Sequence, residues 1–313
     1  MKNLKKIKGD ASYRKFFRKK DKKFSSIIIF SKREKLKNLL IYDAVNKILI
    51  KNKILAPRLY NENYSNNYIE IQDFGNETIL NKLNKKKTIK FIYFKKIIQL
   101  LNKIQLIKSR KIKTFKNKSY IIPEYNKKIL IREANLFCDW YVNNKFSRVR
   151  KDKFSKKFKK IKKKLTLNLK LKNDIFVHRD FHISNLMIIK NQIGVIDSQD
   201  ALIGNKAYDL ASLIDDVRFK TPKLFKDQVF SFYTNKLKKL EIDKLKNDFE
   251  ILSVLRNLKI IGIFTRLAIR DGKKNYLKMI PYTWKLIHMR IKENNLFNDL
   301  ENLLNQYFKK KIK

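Results

Sequence analysis

Apolar residues first alternate along this chain and then fall into a helical period. Residues 13–18 and 24–30 read as two strands, the second dense in the β-branched Ile27, Ile28 and Ile29. Residues 35–51 predict a helix, because Leu36, Leu40, Ala44 and Ile48 recur every four positions beside Ile41, Val45 and Leu49. Ala56-Pro57 closes that unit. Residues 68–74 predict a further strand, with Ile69 and Ile71 alternating with polar neighbours, and Gly75 ends it. From Thr78 the helical period dominates, and 91–107 and 132–142 are strongly amphipathic. Residues 145–172, very rich in Lys, predict a solvated helix. Short strands follow at 176–177, 186–189 and 194–196, with Lys190-Asn191-Gln192 turning between the last two. From Ala207 onward the pattern is helical. No internal repeat and no long linker interrupts it. The expected plan is α+β and bilobal, with a small strand-rich N-lobe over 1–75 and a larger, mostly helical C-lobe over 76–313.

Composition narrows this plan. A chain of 313 residues with 22 Phe and 14 Tyr can bury a large core, which excludes disorder. The single cysteine, Cys138, excludes an internal disulfide and a cysteine metal cluster, as suits a reducing compartment. The first residues hold no apolar run like a signal peptide, and apolar runs such as Ile27-Ile28-Ile29-Phe30 are far shorter than a membrane span. The expectation is a cytoplasmic monomer without membrane contact. A net charge of +48 points towards polyanions. The basic residues are spread along the whole chain, however, and abundant Lys, Ile and Asn with scarce Gly and Pro is the skew of AT-rich codons. No specific nucleic acid is therefore expected.

Two short stretches carry the chemistry. His178-Arg179-Asp180-Phe181-His182-Ile183-Ser184-Asn185 reads H-R-D-x-x-x-x-N, and Asp197 follows an apolar strand twelve residues after Asn185. In kinases that pattern supplies a base for the attacking hydroxyl and oxygen ligands for magnesium. Asp180 is the expected base. Asn185 and Asp197 are the expected Mg²⁺ ligands, two hard oxygens that leave room for phosphate and water. The lobes then read as a protein-kinase-like fold, with ATP and Mg²⁺ as cofactors. His182 would orient the loop or bond a phosphate, and His178 would brace it. Asp209 starts a helix, in a capping or bracing role. Asp200 either touches substrate or metal or makes a turn. In the N-lobe, small residues around Ser12 and Arg14 would let backbone amides approach phosphate. Lys32, beside Arg33, follows the second strand, where a phosphate-pairing lysine belongs. Gln72 and Phe74 lie in the segment 71–74, where backbone groups would bind adenine.

H-x-D-x-H-x-x-N followed by I-D-x-x-D-A-x-x-G and Y-D-L-A resembles the aminoglycoside phosphotransferase/choline kinase superfamily. Within it the chain is most similar to the bacterial anomeric N-acetylmuramate/N-acetylglucosamine kinases. Residues 10–18, Asp-Ala-Ser-Tyr-Arg-Lys-Phe-Phe-Arg, resemble that group's D-A-S-F-R-R-Y-F-R opening. Residues 132–141 resemble its R-E-x-x-L-F-x-x-W-Y helix, and the stretches 199–213 and 256–264 match as well. Phe30-Ser31-Lys32-Arg33 departs from its M-D-A-P-like run. The resemblance implies phosphorylation of the C1 hydroxyl of an N-acetyl amino sugar in peptidoglycan recycling. Arg132, Trp140, Arg256 and Lys259 are candidates on the substrate side. Trp140 would stack on a sugar or join the core. Arg256 and Lys259, three apart, would meet a carboxylate such as the lactyl group or form a solvated face. The alternatives are a kinase for choline, an aminoglycoside or another sugar, and a non-catalytic polyanion-binding relative.

Overall fold

Strands of this chain pair because their apolar residues need a second layer, and the first helix supplies it. β1 (Leu4–Ile7), β2 (Lys15–Asp21) and β3 (Phe24–Phe30) run antiparallel, with β2 and β3 in register from Lys15↔Phe30 to Asp21↔Phe24. α1 (Asn38–Lys51) follows, then β4 (Leu59–Asn63) and β5 (Tyr68–Gln72). The five-stranded sheet has the order β1-β2-β3-β5-β4, with a register shift in β4 between Leu59 and Asn61. Ile29, Ile69 and Ile71 on the sheet meet Leu39 and Tyr42 of α1 in one buried cluster. Each such burial contributes roughly 1.5–3 kcal/mol.

This structure is a computed structural model that describes residues 4–7, 14–21, 24–31, 37–85, 91–292 and 294–312. They divide into two units, Met1–Glu124 with Ile175–Ile203, and Tyr125–Asp174 with Gly204–Lys313. The first unit also holds α2 (Ile79–Lys85), α3 (Phe91–Gln105) and a small ribbon of β6 (Lys111–Lys113) and β7 (Ser119–Ile121). The motif stretch belongs to it. β8 (Asn173–Val177) leads into the motif, and β9 (Leu186–Ile189) and β10 (Gln192–Val195) form a hairpin. Lys190 and Asn191 make its two-residue turn, at φ 44 and 66. Two left-handed residues in succession match the twist of the flanking strands. The Val195 amide donates to the Leu55 carbonyl (2.8 Å) and the Ile188 amide to the Glu77 carbonyl (2.8 Å), which ties the hairpin to the segments after α1 and β5. β11 (Leu202–Asn205) ends the stretch.

The second unit is helical. α4 (Lys127–Leu136) passes through a π-helical segment, Phe137–Val142, into the short α5 (Asn143–Lys145). One continuous α-helix over 132–142 was the expectation, and the close approach of α9 accompanies the change. Gly262 of α9 (Lys239–Arg270) lies against the backbone of Leu136 and Phe137, where a Cβ would overlap the Leu136 carbonyl. α6 (Arg148–Leu167) is the Lys-rich helix expected within 145–172, exposed along most of its length but buried along one side. Phe154, Phe158, Lys162 and Leu165 form a buried stripe on it. The Lys162 ammonium, 2 % exposed, donates to Asn135 Oδ1 at 2.6 Å and lies over the Phe158 ring. α7 (Ala207–Ile214), α8 (Lys223–Thr234), α10 (Ile280–Ile291) and α11 (Asn298–Ile312) complete the unit. Phe137, Tyr141, Phe154, Trp284 and Phe308 form its aromatic centre. No helix among the described residues is long and apolar enough to cross a membrane.

Candidate active site

β8 ends at Val177, and the next eight residues fold back on themselves. His178 is fully buried, edge-on to Phe181, and burial holds its imidazole down at about 4, against the pull of Asp180 and the Ile196 backbone. It is therefore neutral at physiological pH. Arg179 takes a left-handed φ of 73, and its Nη1 donates to the Asp200 carbonyl at 3.0 Å. The backbone carbonyl of Asp180 is a hub. It accepts from the His182 amide (3.0 Å) and from Asn185 Nδ2 (3.1 Å). His182 Nδ1 is 2.8 Å from Ser184 Oγ, and Nε2 is 3.5 Å from Asn185 Nδ2. These contacts tie the His182 ring to the loop that follows it. With its nitrogen committed, Asn185 presents its amide oxygen as the end suited to a cation.

The hairpin carries the chain from Asn185 to Asp197. The Ile196 amide donates to the Asn185 carbonyl at 3.1 Å, one rung beyond the Leu186↔Val195 pair. Asp197 then adopts φ 62, in the left-handed region where a non-glycine residue is strained, and begins a 3₁₀ turn, Ser198–Asp200. Its carboxyl is held above the usual carboxylate range, first by desolvation and then by the charges of Asp180 and Asp200, against the pull of Arg14. Some 40 % of the side-chain surface remains open, yet the surrounding atoms displace enough water to push the carboxyl upward. Asp200 is exposed and holds Arg179 with its carbonyl, while Gln199 Nε2 donates to its carboxylate (2.9 Å). The donor set of Asn185 and Asp197 is all oxygen, the chemistry magnesium prefers.

Arg14 Nη2 donates to Asp197 Oδ1 at 3.0 Å. The guanidinium lies 5.8 Å from the ring centres of both Phe16 and Tyr42. One turn beyond Tyr42, Asn46 Oδ1 accepts from Ser198 Oγ (2.6 Å) and Nδ2 donates to the Pro57 carbonyl (3.0 Å). Tyr42 and Asn46 escaped the sequence reading. A usable signal was there: two polar-capable residues, spaced i, i+4, on the buried side of an otherwise apolar helix.

The segment expected to bind adenine is braced by Asp73. Its carboxylate accepts from Ser25 Oγ, from Arg18 and from the Gly75 amide (2.8 Å). Burial alone would raise it, but these donors outweigh that and hold it below the usual range. Gly75 at φ 81 turns the chain where a side chain would be strained. Phe74 lies against Gly194 of β10, so close that a Cβ there would be 2.8 Å from the ring. The Gln72 amide donates to the Arg58 carbonyl (2.8 Å). Ser12 and Lys32 lie outside the described residues.

The other candidates belong to the second unit. Asp209 is buried in the first turn of α7, and Asn205 Oδ1 accepts from the Ala207 amide (3.0 Å) at the start of the same helix. Arg132 is exposed and Trp140 half-buried. Lys259 does not line a solvated face. It pairs with Glu133 at 3.0 Å, and Tyr125 also donates to Glu133. Arg256 is 5 % exposed, and its Nη1 has no hydrogen-bond partner among the described residues.

An antiparallel sheet, a helical unit and the loop from Asp180 to Asp197 define a small-molecule kinase. The model of the phosphotransferase enzyme family matches residues 3–241, and the chain belongs to that family. It is 28 % identical over 282 residues to an N-acetylmuramate/N-acetylglucosamine kinase of Neisseria meningitidis, covering 87 % of this chain and 81 % of that one. A kinase of the same name from Pseudomonas aeruginosa is 26 % identical over 302 residues, 95 % and 86 % of the two chains. Among solved structures, a choline kinase from Cryptosporidium parvum superposes with a TM-score of 0.63 at 11 % identity, covering 97 % and 92 %. An ADP-bound aminoglycoside phosphotransferase gives 0.58 at 14 %, covering 91 % and 94 %. These likenesses establish the protein-kinase-like fold.

Proposed function

We propose that this kinase transfers the γ-phosphoryl group of ATP to the C1 hydroxyl of N-acetylmuramate or N-acetylglucosamine. The observation that carries the acceptor is similarity along most of the chain to two kinases of that name. Asp180 accepts the hydroxyl proton as the sugar oxygen attacks the γ-phosphorus. The bond to the bridging oxygen breaks, and ADP leaves. Asn185 Oδ1 and the Asp197 carboxylate would hold Mg²⁺, whose chemistry is to neutralise phosphate charge. Phe74, packed on Gly194, would form one wall for adenine. Arg256 supports an acceptor that carries an anion. Burying a cation costs free energy unless something pairs with it, and a lactyl carboxylate would do so.

The test is phosphate transfer from Mg-ATP to N-acetylmuramate, N-acetylglucosamine, choline and an aminoglycoside, with the product's phosphorus-to-C1 coupling read by NMR. A C1 phosphate on either amino sugar is the expected result. A folded protein that phosphorylates choline or the aminoglycoside and neither sugar refutes the acceptor while leaving the kinase class intact.

A further inference from the structure

The stretch 10–18 ends on Arg18, and the proposed transfer gives that residue no part. Arg18 lies on β2 opposite Ile27 of β3, which is opposite Ile71 of β5. Directly paired residues share a face of a sheet, so Arg18 points to the same side as Ile27 and Ile71. From there it reaches over β3, a span of two strand spacings or roughly 10 Å, to the end of β5. Nη2 donates to Asp73 Oδ1 at 2.9 Å and to the Gly75 carbonyl at 2.8 Å. Nε lies 2.6 Å from Asp73 Oδ2, and Nη1 donates to Asn76 Oδ1. One guanidinium thus holds residues 73, 75 and 76. The two paired side chains are 13 % and 6 % exposed, so salt screens the pair little.

A neighbouring ion pair shows what such a contact does when it only braces the sheet. Lys19, the next residue of β2, meets Glu70 of β5 at 3.4 Å, and Ser26 Oγ donates to the same carboxylate. Ser25 Oγ donates to Asp73 in the same manner. The Lys19 pair ends on the strand itself. The Arg18 pair goes past the strand, onto the carbonyl of Gly75, whose φ of 81 sets the turn. Phe74 sits between the two anchored residues, with its ring against Gly194.

We propose that Arg18 is a positioning residue for the nucleotide base. Through Asp73 and Gly75 it holds the backbone of 72–74 and the Phe74 ring in the arrangement that accepts adenine, and so sets a preference for ATP over a pyrimidine nucleotide. This rests on the ATP-kinase reading above. A planar guanidinium with five donors can serve a carboxylate, a carbonyl and an amide together, whereas an ammonium is a point charge on a flexible stem. Recognition of a base by backbone needs that rigidity, because a peptide group turned away from the base forfeits its hydrogen bond.

Calorimetric titration of the full chain with ATP and with UTP, with magnesium present and no acceptor, tests this. The two ligands share a triphosphate, so the protein's net charge cancels from their ratio. Arg18→Met should weaken ATP about tenfold, near the value of one hydrogen bond to the base, and leave UTP within about twofold. Asp73→Asn keeps the shape of the side chain and should show the same selective loss if the methionine variant does not fold. Combining the two should add little to either, since they break one device. Lys19→Met should leave the ratio unchanged. An unchanged ratio in Arg18→Met and Asp73→Asn, equal losses of ATP and UTP, or the same selective loss in Lys19→Met would overturn the assignment. So would a wild type that binds ATP and UTP alike, since it would have no base preference to set. A wild type that binds neither would remove the ATP reading itself, and this inference with it.

Discussion

Asn185 Nδ2 donates to the backbone carbonyl of Asp180 at 3.1 Å, so the residue proposed to hold the metal also fixes the backbone of the proposed base. Replacing it touches both roles. Asn185→Ala should lower kcat by roughly 10–100-fold or more and raise the magnesium concentration needed for half-maximal rate. Asp180→Asn, which keeps shape and backbone, should lower kcat by roughly 10²–10⁴-fold with nucleotide affinity unchanged. Steady-state rates across a magnesium series distinguish the two. An Asn185→Ala enzyme with an unshifted magnesium dependence would argue against its place at the metal.

Gly262 marks where two helices touch backbone to backbone. A Cβ there would sit 2.7 Å from the Phe137 amide nitrogen and overlap the Leu136 carbonyl, and neither can retreat as a side-chain tip can. Gly262→Ala should therefore destabilise the fold by about 1–3 kcal/mol, despite the higher helix propensity of alanine. Denaturant midpoints measure it. An unchanged or raised midpoint would show that the α4–α9 contact relaxes without cost.

Asp215 anchors a buried charge cluster in the helical unit. Arg290 reaches its two oxygens at 2.9 and 3.1 Å, Lys226 stands at 3.4 Å and Ser253 Oγ donates at 2.6 Å. Burial alone would raise its carboxyl, but Arg290 and Lys226 outweigh that and hold it at about 2. A depressed carboxyl stabilises the fold fully above its unfolded value of about 3.9, and the contribution disappears as pH falls towards 2. Asp215→Asn should cost about 3–5 kcal/mol at neutral pH by leaving two cations buried and under-compensated. The wild type's advantage over the variant should shrink between pH 4 and pH 2, as measured by urea unfolding across that range. A constant gap would deny the ionised state.

Arg256 tests the acceptor. If it meets a carboxylate, Arg256→Ala should lower kcat/KM for N-acetylmuramate roughly 10–100-fold, the value of a charge-assisted hydrogen bond, and N-acetylglucosamine far less. Equal losses on both sugars would return Arg256 to a packing role.

Some of this was legible because it is local. The Asp180-to-Asn185 spacing, the turn at Lys190-Asn191-Gln192 and the periodicity of α1 are each set by residues close in sequence, and the structure keeps them, except that Gln192 already pairs with Ile189 in β10 and leaves a two-residue turn. β1 and β4 were invisible, since Leu-Lys-Lys-Ile and Leu-Tyr-Asn-Glu-Asn carry little apolar alternation and owe their pairing to neighbours in the sheet. The partner of Arg14 is 183 positions away, and a chain with 76 Lys and Arg offers no contrast by which to pick one cation. Likewise Arg256, Lys259 and the stripe of α6 looked solvated because charged residues in a helix usually are. Only the packing around α9 and α6 shows Arg256 and that stripe buried, and Lys259 paired with Glu133.

The β9–β10 hairpin has a further consequence for how the motif can vary. Because Leu186 pairs with Val195 across a two-residue turn, lengthening both strands by one rung adds two residues and leaves Asn185 opposite the residue just before Asp197, as Ile196 is here. A change of one residue would turn one strand over and send one of the two side chains to the opposite face. The interval of twelve therefore has a parity. Relatives built on the same turn can space these two residues by ten, twelve or fourteen, and an odd interval would require a bulge or a different turn.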